Sequence, residues 1–130
     1  MAKPKLVGGC GCGAVRYEIT SEPGFSFLCQ CRNCQRATGT GHAPSFVVER
    51  ENWSVTGNLT SYETESDSGH RVSRDFCPVC GSPVFGTTSQ FPATLIVFAA
   101  SLDDPSVFKP QRAIFTASAQ PWDYIDPSLV

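Results

Sequence analysis

Residues Cys10–Thr20 read "CGCGAVRYEIT", and two features of this stretch decide how the chain is read. Val15, Tyr17 and Ile19 alternate with Arg16, Glu18 and Thr20, the period-two pattern of a strand with one face in a core and one in water. The spacing predicts a strand over about residues 14–20. Just before it, Cys10 and Cys12 sit among glycines at 8, 9, 11 and 13, which let a C-x-C turn approach a common point closely. A partner for that pair lies far downstream in "FCPVCGSPVF", where Cys77 and Cys80 form a zinc-knuckle sequence with Gly81 behind it. Cys10, Cys12, Cys77 and Cys80 together make the ligand set of a tetrahedral structural zinc, which would staple the start of the chain to its middle.

Working outward, the segments "SFVVE" (45–49), "RVSRDF" (71–76), "SPVFG" (82–86), "TLIVFAAS" (94–101) and "RAIFTA" (112–117) carry the β-branched and aromatic residues of further strands. The unbroken run at 94–101 suits a central strand covered on both faces. The polar stretch "CRNCQRAT", closed by Gly39, predicts one short helical turn between Cys31 and Thr38. Prolines and glycines are spread along the chain rather than gathered into a linker. The expectation is a mainly β fold over residues 1–130, a single domain of short antiparallel sheets stapled by zinc, with little helix.

Composition limits the partners. Ten basic and twelve acidic residues are scattered and the formal net charge is −2, so no electrostatic footprint for nucleic acid is present. The longest apolar run, "LIVFAA", is far below the roughly 20 residues a helix needs to cross a bilayer. "MAKPKLVGGC" has two lysines but no apolar signal core after them, so the expected location is cytoplasmic. Seven cysteines in such a chain point to metal or thiol chemistry, whereas a disulfide framework would strand one of them.

Three thiols remain in "CQCRNC": Cys29, Cys31 and Cys34. Three protein ligands with a fourth position left for water or substrate is the pattern of a catalytic zinc. His42, eight residues past Cys34, or a carboxylate would instead close the site, and an unmetallated thiol cluster is the third reading. Three thiolates make zinc a weaker Lewis acid than three imidazoles do, and better suited to holding a thiol than to splitting an amide. An incoming thiolate adds negative charge, which makes Arg32 and Arg36 candidate substrate-binding residues. By residue type alone His42, His70, Asp75 and Glu49 are candidate bases, while Trp53 and Trp122 are expected to pack and "SLDDP" (101–105) to form a turn.

These motifs, in the order "GGCGCGAVRYEI", "CQCRNCQRATGTGHAPSFVV", "WSVTGNLTSYE", "RDFCPVCGSPVF", "VFAASLDDP" and the late Pro121–Trp122, resemble the glutathione-dependent formaldehyde-activating enzyme family, which includes the centromere protein V group. The resemblance spans nearly the whole chain. It implies sheets meeting like a tent, two zinc ions per chain on the cysteine sets above, and a carbon–sulfur lyase that joins formaldehyde to glutathione as S-hydroxymethylglutathione and splits it in reverse. Many family members carry histidine where this chain has Gln30, so a proton-transfer role at that position does not carry over. The alternative is a non-catalytic zinc module of the same fold that binds a protein partner.

Overall fold

The computed structural model describes residues 3–130. Among these residues ten strands form two sheets, accompanied by one α-helix. In the small sheet, β1 (Leu6–Gly9), β2 (Arg16–Ile19) and β5 (Trp53–Thr56) lie antiparallel with β2 in the centre. The alternation that predicted β2 is the burial actually found: Val15, Tyr17 and Ile19 are buried and Arg16 and Glu18 exposed.

The large sheet contains β3 (Ser26–Cys29), β4 (Ala43–Glu49), β6 (Thr60–Glu65), β7 (Arg71–Phe76), β8 (Pro83–Thr88), β9 (Thr94–Phe98) and β10 (Arg112–Ile114). Its order is β10-β3-β4-β9-β8-β7-β6. β9 is central, as its apolar run predicts, but it ends at Phe98, where residues Ala99–Ser101 tighten into a 3-10 turn. The pairing is antiparallel as expected except at one edge, where β10 runs parallel to β3. β10 is also shorter than residues 112–117, because Phe115 turns into the left-handed region at φ 55° and ends the extended backbone.

The core fills the space where the two sheets face. Tyr17 and Ile19 of the small sheet pack with Phe46, Val48, Val84, Leu95 and Val97 of the large one. Trp53 stacks on Tyr17 with ring centroids 4.4 Å apart and tilts against Phe85 at 5.0 Å, so it packs as expected. Trp122 does not; it is 68% exposed, because the C-terminal segment lies over the surface instead of entering the core. "SLDDP" forms its turn. Asp103 accepts from Arg16 at 2.9 Å and Asp104 caps the 3-10 turn at Pro105–Val107.

The helix α1 (Arg32–Thr38) follows β3 directly. Cys31 is its N-cap, and the Cys31 sulfur accepts the Cys34 N–H at 3.2 Å in place of the usual oxygen. Gly39 ends it in the left-handed conformation, φ 75°, with its N–H donating to Gln35 O at 2.8 Å.

Candidate metal centres and the cavity beside them

The knuckle at Cys77–Cys80 forms where β7 leaves the large sheet, and the Cys10–Cys12 turn leaves β1 toward it. The four sulfurs lie within 4.8 Å of one another. Cys10 and Cys12 Sγ are 3.6 Å apart, and Cys12 and Cys77 Sγ 3.7 Å. These separations are nearly twice a disulfide bond and close to the edge, about 3.8 Å, of a tetrahedron built on zinc–sulfur bonds of about 2.3 Å. The backbone is arranged for thiolates as well. Val15 N–H donates to Cys10 at 3.3 Å, Val79 N–H to Cys77 at 3.3 Å and Cys80 N–H to Cys77 at 3.5 Å. Ser82 Oγ lies 3.2 Å from Cys80 Sγ and accepts from Gly11 N–H, bonding the two turns to each other. The donor set fits zinc.

The second set is buried. Cys29 ends β3, Cys31 caps α1 and Cys34 lies in its first turn, so a strand end and a helix start converge three sulfurs within 4.8 Å. Among the described residues no carboxylate or imidazole joins them. The Cys29 and Cys34 thiols, then the Cys34 N–H and the Arg74 charge, hold the Cys31 thiol well below its ordinary range against the effect of burial. Donating to Cys31 pushes Cys29 up to about 12, and Cys34 is also pushed up by Cys29, by Cys31 and by burial. Three thiols this close do not all ionise unless a cation compensates them, which is the condition a thiophilic metal meets.

Arg74 on β7 is the residue that sequence reading missed. Its Nη2 donates to Cys34 Sγ at 3.5 Å, a contact made only because α1 packs against the outer end of the large sheet. Of the two predicted arginines, Arg32 donates forward along the helix to Gln35 Oε1, while Arg36 lines a cavity of about 490 Å³. That cavity is also lined by Asn33, Ala37, Tyr62, Thr64, Arg74 and Phe76. A larger cleft of about 620 Å³ lies at the other end of α1, beside His42 and Asp103.

The candidate bases separate by surroundings. His42 Nδ1 is 2.8 Å from Asp123 Oδ2, which also accepts from the buried Gln30 amide at 3.4 Å. Gly41 is required beside this pair, since a Cβ there would run into the Asp123 carboxylate. Gln35 Nε2 donates to Gln30 O and Ser118 O at 2.8 and 2.9 Å, so the C-terminal segment clamps the three-thiol loop from behind. Asp75 is half-buried, and burial raises its carboxyl pKa. His70 sits in the turn after β6 and Glu49 is exposed at the end of β4.

The model of the family described as "Glutathione-dependent formaldehyde-activating enzyme" matches residues 5–118. A Halomonas elongata protein named "Putative glutathione-dependent formaldehyde-activating enzyme" is 28% identical over 126 residues, covering 93% of this chain and 80% of that protein. An Aspergillus terreus protein of the same name is 30% identical over 123 residues, 88% of this chain and 64% of its own length. A crystal structure of a Rhodobacter sphaeroides protein superposes with a TM-score of 0.61 at 26% identity, covering 75% of this chain and 88% of the other. With both cysteine sets and the intervening strands inside the matched span, this chain belongs to the glutathione-dependent formaldehyde-activating enzyme family.

Proposed function

We propose that the protein is a zinc-dependent carbon–sulfur lyase that joins a small thiol, glutathione in the first instance, to formaldehyde and splits the adduct in reverse. The observation that carries this reading is the buried set Cys29, Cys31 and Cys34, three converging sulfurs without a fourth ligand from the described residues, joined through the Arg74 contact on Cys34 to a cavity large enough for a small molecule. The names of the family and of its relatives support the thiol and the aldehyde. Cys10, Cys12, Cys77 and Cys80 would hold a second zinc whose role is structural.

In the forward direction the S–H bond of the substrate breaks, a carbon–sulfur bond forms to the aldehyde carbon, and the proton ends on the former carbonyl oxygen as a hydroxymethyl thioether. Zinc on the three thiolates would supply a site that favours the substrate sulfur as thiolate at neutral pH. The chain's own residues do the rest. Cys31 and Cys34 are fixed by the helix cap, Gln30 and Gln35 hold the loop from behind, and Arg74 offsets negative charge at Cys34. Burial of all three thiols strengthens that charge pairing. Because formaldehyde adds to free thiols unaided, positioning and a modest shift in thiol ionisation are all the protein must add.

Among the described residues no helix is long and apolar enough to cross a membrane. We place the protein in the cytoplasm on the ground that seven thiols outside any disulfide suit a reducing compartment. The test is zinc per chain by elemental analysis on wild type and Cys31→Ser, with X-ray absorption at the zinc edge as glutathione is added. Two zincs falling to one, and a light ligand exchanged for sulfur, is the expected result. A second zinc indifferent to glutathione would remove the lyase reading in favour of a binding module.

A further inference from the structure

We propose that the cavity beside the three-thiol centre is a carboxylate-recognition subsite, in which Arg36 and Arg74 receive an acidic group of the substrate and Arg74 links that group to Cys34. The inference rests on the reading of the centre as a thiol site and adds the part of the substrate that does not react.

The cavity lies between α1, one face of the β6–β7 hairpin and the segment from Gly81 to Pro83 that leads from the knuckle into β8. Tyr62 and Arg74 are direct cross-strand partners, and Thr64 and Phe76 lie two residues away along the same face. From the helix come Asn33, Arg36 and Ala37, which bracket Cys34 in sequence. The thiol centre and the cavity therefore share one turn of α1.

The lining contains two guanidinium groups and no acidic side chain. Among the described residues the ion pairs are Lys5–Glu22, Arg16–Asp103 and His42–Asp123, so neither Arg36 nor Arg74 has a carboxylate partner. Two like charges facing one half-enclosed space repel, and an anion between them reverses the sign of that interaction. Arg74 is half-buried, which strengthens any charge-assisted bond it makes. One of its N–H groups is directed to Cys34 Sγ, and the guanidinium has other donors in a fork that matches a carboxylate. A solvated surface role accounts for Arg36 alone; it does not account for Arg74, whose contact with a buried sulfur holds it at the boundary between centre and cavity. The consequence is selectivity for thiols that carry a carboxylate over neutral thiols of similar size.

The experiment uses the zinc-loaded protein with three probes: glutathione, S-methylglutathione, which keeps both carboxylates without a free thiol, and the diethyl ester of S-methylglutathione. Affinities are measured by calorimetry on wild type, Arg36→Ala and Arg74→Lys, with zinc per chain as the check that each variant is folded and loaded. The expected result is that S-methylglutathione binds wild type and binds Arg36→Ala about tenfold to a hundredfold more weakly, the loss of one charge-assisted bond. Esterification should cost wild type a similar factor and cost Arg36→Ala much less, which assigns the interaction to the pair. Should Arg74→Lys lose zinc, Arg36→Ala decides alone, since that side chain is exposed and touches neither metal set. Glutathione altering the zinc edge with affinities unchanged in Arg36→Ala would overturn the subsite and leave the lyase reading standing. Arginine-dependent binding of S-methylglutathione at a zinc indifferent to glutathione would sink the lyase reading and keep the subsite. Absence of both effects would overturn both.

Discussion

Cys80→Ser separates a metal staple from a group of ordinary thiols, because Cys80 is exposed and its sulfur fills no space in the core. For an exposed cysteine with no ligand role the change should move stability by no more than about 0.5 kcal/mol. As a zinc ligand it closes a loop: Cys12 and Cys77, whose sulfurs are 3.7 Å apart, are 65 residues apart in sequence. Cross-linking a loop of that length lowers the entropy of the unfolded chain by an amount worth about 4 kcal/mol at 25 °C. The apparent binding energy of structural zinc, about 10–16 kcal/mol, is of the same order as the whole stability of a domain. Cys80→Ser should therefore cost at least about 4 kcal/mol. With a urea slope of about 2 kcal/mol/M, the midpoint should fall by about 2 M. The assay is urea unfolding followed by far-UV circular dichroism, with Val79→Ser as control, since Val79 is 76% exposed in the same turn. Equal midpoints for Cys80→Ser and Val79→Ser, together with a wild-type midpoint unmoved by a zinc chelator, would refute the staple.

Three further outcomes follow from the packing. Tyr17 is buried with its hydroxyl 2.6 Å from Ser101 Oγ, and burial pushes its pKa up to about 12. The folded value lies above the unfolded one, so this contribution is complete below about pH 10 and is lost as pH rises through about 12; Tyr17→Phe should cost about 1 kcal/mol at pH 7 and remove that alkaline limb from the stability profile. Gly41→Ala should lower stability by about 1–3 kcal/mol in thermal unfolding, because the added methyl displaces Asp123 from His42. Phe46→Ala, at a fully buried position between the sheets, should cost about 3–5 kcal/mol in the same assay, and a loss under 1 kcal/mol would contradict the assigned core.

The legible parts of the fold share a physical cause. β2 alternates because one face is buried and the other wet, and β9 is apolar because it runs through the middle of the large sheet with most of its side chains buried. β6, "TSYETE", carries no such signal: it is an edge strand, nearly all exposed, held by its pairing with β7. β3 hides for the opposite reason, since Ser26, Phe27 and Cys29 are all buried and no alternation results, and its last residue reads first as a metal ligand. The seven cysteines divide by spacing alone into the two groups the structure assembles. Arg74 could not be found that way, because its contact with Cys34 spans 40 residues and depends on where a short helix comes to rest.

The proposed zinc staple between Cys12 and Cys77 would also set a clock on biosynthesis. At about 5–20 residues per second, the first pair of sulfurs leaves the ribosome some 3–13 s before its partners exist. The three thiols of the second group emerge within that interval. A nascent chain would thus present all three of these thiols before the proposed staple could close, and translational pausing or an oxidant burst in those seconds would act on sulfurs that the folded molecule buries.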